Sequence, residues 1–140
     1  MNTSPLRQVF VIENDAAVRD SMRCLFGALG YAVTVFASAE EFLAVGDNVR
    51  TDCLVVDFHL SGRTGLELLE GERARGSNTP AILMTANMKL GQAQIERAAI
   101  LAVLQKPVSV DALRAWVEKA CALGTSIDAV PTKPVIVPPQ

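Results

Sequence analysis

Five short apolar runs alternate with five segments of helical periodicity, and this alternation constrains the fold more than any other feature of the chain. The runs are about Gln8–Ile12, Ala32–Phe36, Cys53–Asp57, Ala81–Met84 and Leu101–Gln105. The first helix is expected over about Ala16–Leu29, with Val18, Met22, Leu25, Phe26 and Leu29 on one face. Asp15 or Asn14 suits its start and Gly30 its end. Ser38-Ala39-Glu40-Glu41 reads as a capping box opening a short helix through Phe42 and Leu43. Gly65 to about Arg75 turns Leu66, Leu68 and Leu69 inward, and Gly76 to Pro80 makes a turn. Met88–Ala99 is a weaker helix anchored by Ile95. Ser109 caps a last helix with Val110, Leu113, Val117 and Ala120 as its apolar set.

The strand runs are continuously apolar rather than alternating, as in a parallel sheet covered on both faces. Five βα units therefore predict an α/β domain. Right-handed crossovers leave few topologies. The reading is a flavodoxin-like, doubly wound, five-stranded parallel sheet of order 2-1-3-4-5 with helices on both faces. That order opens a crevice at the carboxyl ends of strands one and three.

Chemistry gathers at those ends. Strand one ends in Glu13-Asn14-Asp15, strand three in Asp57, strand four in Thr85, and strand five in Lys106-Pro107. An acid cluster can hold a divalent cation, and a lone Asp can act as nucleophile. A hydroxyl and an ammonium can catch phosphoryl oxygens. The plainer readings are a turn acid for Asp57, a strand-end hydroxyl for Thr85 and a solvated cation for Lys106.

Composition narrows the partners. A net charge of −2 without a Lys/Arg cluster argues against nucleic-acid binding by this chain alone. Cys24, Cys53 and Cys121 are too far apart for a zinc motif and odd in number, so no disulfide framework is expected. No apolar run can span a bilayer and the N-terminus lacks a signal pattern, so no membrane partner and a cytoplasmic location are expected. The globular domain is expected over 6–123. Residues 124–140 carry four of the seven prolines and are expected to be an extended or disordered tail, with a docked strand as the alternative.

From Leu6 to Leu123 the chain resembles a receiver domain of bacterial two-component response regulators. The resemblance rests on Val11-Ile12-Glu13-Asn14-Asp15-Ala16-Ala17-Val18-Arg19, on Val55-Val56-Asp57-Phe58-His59-Leu60 with Gly65-Leu66-Glu67-Leu68-Leu69, on Met84-Thr85-Ala86 and on Gln105-Lys106-Pro107. It is similar to the single-domain type, or to a receiver cut from a longer chain. The resemblance implies that Asp57 accepts a phosphoryl group from a histidine kinase or phosphotransfer protein. Thr85 and Lys106 would then bind that group. Glu13, Asn14, Asp57 and the His59 carbonyl would hold Mg²⁺ or Mn²⁺, His59 and Asn87 would line the path of hydrolytic water, and the Lys106-Pro107 bond would be cis. Output would go to a downstream protein on the face of helix four, strand five and helix five.

Three departures from the family pattern stand out. Anchoring on Val18-Arg19 puts Glu13 and Asn14 where receivers usually have two acids. A one-residue shift would make Asn14-Asp15 the pair and take Asp15 from its cap. With Asn14 neutral, metal binding is expected to be weak. Val103 stands where receivers usually carry a switching aromatic ring, and Ser61 where the loop usually has Pro. These changes keep a second function open: a pseudo-receiver that binds a partner without phosphorylation. A flavin protein of the same fold is disfavoured, because the loop after strand one lacks a hydroxyl- and Gly-rich phosphate cradle.

Overall fold

The computed structural model describes residues 6–46, 50–86, 89–123 and 134–139. In chain order the elements are β1 (Gln8–Ile12), α1 (Ala16–Ala28), β2 (Ala32–Phe36), α2 (Ala39–Val45), β3 (Cys53–Asp57) and α3 (Gly65–Ala74). There follow β4 (Ala81–Thr85), α4 (Gln92–Ala98), β5 (Ala102–Gln105), α5 (Val110–Leu123) and β6 (Val135–Val137). The sheet is parallel throughout, in the order β2-β1-β3-β4-β5-β6.

The expected order holds for the first five strands, but the sheet has six strands rather than five. The sixth comes from the proline-rich tail, whose Val135-Ile136-Val137 lies beside Ala102-Val103-Leu104. Three β-branched residues between prolines are strongly extended, and β5 offers them an open edge.

Local chemistry sets the helix starts. Asp15 Oδ1 accepts from the amides of Ala17 and Val18 and caps α1. The Ser38 hydroxyl accepts from Glu41 N–H, while the Glu41 carboxylate reaches Ala37 N–H rather than closing the box on Ser38. Thr64 and Glu67 form a full capping box on α3. The Ser109 hydroxyl accepts from Ala112 N–H at the start of α5.

Three expectations need correction. Val110, expected among the inward residues of the last helix, is its first residue and 58% exposed, ahead of the buried Leu113. α4 begins at Gln92, not near Met88, behind a Gly91 N-cap that has no side-chain cap. Gly91, a poor helix former, stands at that boundary, and Leu90 before it packs on the sheet outside the helix. Leu29 is not an inward residue of α1; it is the C-cap and 40% exposed.

Side chains from the two sheet faces build two cores. One joins Val9, Val11, Val55, Ile82 and Met84 to Met22 and Phe26 of α1 and to Leu113 and Val117 of α5. The other joins Phe10, Ile12, Leu54, Val56 and Leu83 to Leu66 and Leu69 of α3 and to Ile95 of α4. β1, β3, β4 and β5 alternate between them, which is why these runs read as wholly apolar. Trp116 packs at the margin of the first core, under Lys119, whose Nζ lies 4.8 Å from the ring centre. Cys53 and Cys121 are buried and Cys24 is exposed, all as free thiols. No helix among the described residues is long and apolar enough to cross a membrane.

Candidate functional site

Register brings the strand ends together. Ile12 pairs with Val56, so Glu13 follows β1 beside Asp57, the last residue of β3. Asp57 pairs with Met84 and Thr85 with Gln105, so the hydroxyl from β4 and Lys106 beyond β5 sit along the same edge. Backbone bonds fix the edge. Glu13 N–H donates to Phe36 O at 3.0 Å, Phe58 N–H to Met84 O at 2.8 Å, and Lys106 N–H to Thr85 O at 2.8 Å. The Arg19 guanidinium donates to Glu13 O at 2.8 Å and holds the turn into α1.

The site is polar and buried at once. Glu13, Asp57 and Thr85 are 2%, 3% and 0% exposed. Lys106 Nζ lies 2.8 Å from Asp57 Oδ1. The approach is close but poorly aligned, so Asp57 Oδ1 gains charge compensation without a well-directed hydrogen bond. Lys106-Pro107 is cis, as the resemblance implies.

Burial raises the Glu13 carboxyl to about 7, and the hydrogen bond and charge of Asp57 push it the same way, against Lys106. Glu13 Oε2, like Asp57 Oδ1, is buried without a hydrogen-bond partner. Two inward carboxylates with orphaned hard oxygens are a donor set that fits a divalent cation. They are two acids, not three, and no cluster of three or more His, Cys, Asp or Glu that could hold a metal occurs among the described residues.

The other predicted residues lie at the rim. Asn14 is exposed. Asp15 is committed to the α1 cap, which favours the Glu13-Asn14 register over the shifted one. The His59 side chain is exposed, edge-on to Phe58 with ring centres 5.0 Å apart, and its backbone bridges to Thr64. Asn87 lies outside the described residues.

Sequence reasoning missed what Gly65 does. Its N–H donates to Phe58 O at 2.9 Å and closes the loop after Asp57. A Cβ there would overlap the Asp57 carbonyl oxygen and lie 2.9 Å from Val56 Cγ1. A glycine just past a polar loop is a recognisable sign of close backbone approach.

This arrangement of two acids, a hydroxyl and a lysine at one edge of a parallel sheet defines the receiver class of signalling domain. The chain belongs to the response regulator receiver domain family, whose model matches residues 9–118. Among relatives, it is 36% identical over 114 residues to the transcriptional regulatory protein FixJ of Bradyrhizobium diazoefficiens, covering 80% of this chain and 55% of that protein. It is 35% identical to FixJ of Azorhizobium caulinodans, covering 86% of this chain and 60% of that protein. The chain thus spans little more than half the length of these relatives. Among solved structures, a CheY-like receiver domain protein from Methanospirillum hungatei superposes with a TM-score of 0.78 at 25% identity, covering 84% of this chain and 95% of that one. TrrA of Thermotoga maritima, solved in complex with Mg²⁺-BeF, has a TM-score of 0.73 at 20% identity, covers 82% of this chain and 99% of that one, and supports the fold alone. Receiver domains of this family are modules of two-component signalling.

Proposed function

We propose that the chain is a phospho-accepting receiver whose acceptor is Asp57. The observation that carries this reading is the buried Asp57 carboxylate held 2.8 Å from Lys106 Nζ, beside the buried Glu13. An Asp57 oxygen attacks the phosphorus of a phosphohistidine on a histidine kinase or phosphotransfer protein. The new O–P bond forms as the N–P bond breaks, and the electron pair stays on the imidazole. Lys106 pairs with Asp57 beforehand and then with the phosphoryl oxygens, to which the Thr85 hydroxyl donates.

Mg²⁺ or Mn²⁺ would be held by Glu13, Asp57, the His59 carbonyl and the neutral Asn14 side-chain oxygen. It would supply positive charge against the phosphoryl oxygens. With two anions in place of three, its binding is weak. The added phosphoryl charge biases a surface on the α4-β5-α5 side of the sheet, where β6 covers the β5 edge and a downstream protein docks on α4 and α5.

Intact-mass measurement after a small-molecule phosphodonor with Mg²⁺ tests the reading on wild type and Asp57→Asn. One phosphoryl adduct is expected on wild type and none on the variant. An unchanged wild-type mass would overturn it and favour a pseudo-receiver that uses the same surface without phosphorylation, the reading that Asn14 supports.

A further inference from the structure

Without β6, β5 would be an open sheet edge. The C-terminal segment closes it: Val135 N–H donates to Leu101 O at 3.1 Å, and Val135, Ile136 and Val137 lie beside Ala102, Val103 and Leu104. Val137 packs on the core shared with α1 and α5. Val135 and Ile136 remain 47% and 46% exposed. A three-residue ladder and the partly buried Val137 side chain fasten the strand. Pro134 before it and Pro138-Pro139 after it limit the ladder's length, because proline has no N–H to donate. A strand so short, so lightly buried and joined to α5 through residues 124–134 is an added part rather than a structural member of the sheet.

We propose that the β5 edge is a strand-accepting interaction surface for a β-branched tripeptide bracketed by prolines. The protein's own C-terminal segment occupies it, and the same segment of a second copy can take its place. Recognition is by β-augmentation: main-chain bonds hold the strand, and the apolar contact made by Val137 selects it. A second copy is the partner with the required sequence. The tether decides which strand wins, since covalent attachment makes docking intramolecular, with an effective concentration of about 1 mM. Dilute protein is therefore self-capped, and exchange follows when the resident strand is impaired. The inference is independent of whether Asp57 is phosphorylated.

The test uses the full-length chain and a labelled peptide of residues 132–140, read by fluorescence anisotropy. Val137→Asp puts a carboxylate against the apolar core, and Val135→Pro removes the donor to Leu101 O while leaving the core side chains alone. Both bared variants should bind the peptide with a dissociation constant below about 1 mM, and wild type at least about tenfold more weakly. In hydrogen exchange, β5 amides should lose protection in both variants while β1 and β3 keep theirs. Equal peptide binding by wild type and variants would overturn the proposal, as would no binding by properly folded variants. Unchanged exchange at β5 would also overturn it. Circular dichroism establishes folding, and Val135→Pro carries the test if Val137→Asp does not fold.

Discussion

Lys106 Nζ, 36% exposed at side-chain level, lies 2.8 Å from the almost wholly buried Asp57 carboxylate, and so sets a positive charge against an acid with almost no access to water. Replacing Lys106 by Met leaves Asp57 facing Glu13 with no cation. Removing one partner of a fully buried pair costs about 3–5 kcal/mol. Lys106 is partly solvated, so about 1–3 kcal/mol is expected. Asp57→Asn in the same background should recover most of the loss, which urea unfolding of the two singles and the double would show.

Glu13 makes metal-free stability depend on pH. Its folded pKa is about 7 against an ordinary 4.5, so between these values the native state binds more protons than the unfolded chain. This group's contribution to stability therefore falls as pH rises from about 4.5 to about 7, and levels off above that. Glu13→Gln should raise the thermal midpoint at pH 8 in chelator and change it little at pH 5. A variant melting below wild type at pH 8 would contradict the assigned burial and charge.

Asn14→Asp should tighten Mg²⁺ binding. It adds an anion beside Glu13 and Asp57, and one charge contact near the surface is worth about 1–4 kcal/mol before desolvation. About tenfold is expected by calorimetric titration. Equal affinities would mean that Asn14 stands outside the metal shell.

Gly65→Ala should destabilise the fold and disturb the site together. The new methyl would overlap the Asp57 carbonyl oxygen and press on Val56 Cγ1 and Leu83 Cδ1, at 2.9 and 3.0 Å. Overpacking of this kind costs about 1–3 kcal/mol, and backbone cannot yield as a flexible side chain can. Phosphoryl uptake should fall even under conditions where circular dichroism shows a folded protein.

The response to a beryllium fluoride phosphate mimic should centre on residues 86–90 and the first turn of α4. Val103 is 0% exposed and packs in the core with Leu83, Ile95 and Ile100, with no ring to move. The far end of α4 is held to α3. Arg73 donates to Ala98 O at 2.9 Å and to Ala99 O at 3.2 Å, and Arg97 pairs with Glu70 at 2.9 Å. Amide exchange with and without the mimic should show large changes before Ile95 and small ones at Val103. The reverse pattern would refute this account.

The local code was legible in the amino-acid order. Apolar runs marked five strands, and Asp15, Ser38 and Ser109 marked three helix starts, because a cap bonds amides within a few residues. The succession of Glu13, Asp57, Thr85 and Lys106 at strand ends named the candidate site, since a parallel sheet must bring those ends to one edge. The tertiary structure alone decided the rest. Glu13 owes its raised pKa to burial and to a carboxylate 44 positions away on another strand. Gly65 matters because the Asp57 backbone passes where its Cβ would be, and α4 starts at Gln92, behind Gly91, and is tied to α3 through Arg73 and Arg97. The tail became a strand because the vacant edge of β5 was there to receive it. Periodicity and caps act over a few residues and can be read along the chain, whereas burial, charge coupling and edge pairing arise between distant segments and exist only once these have met.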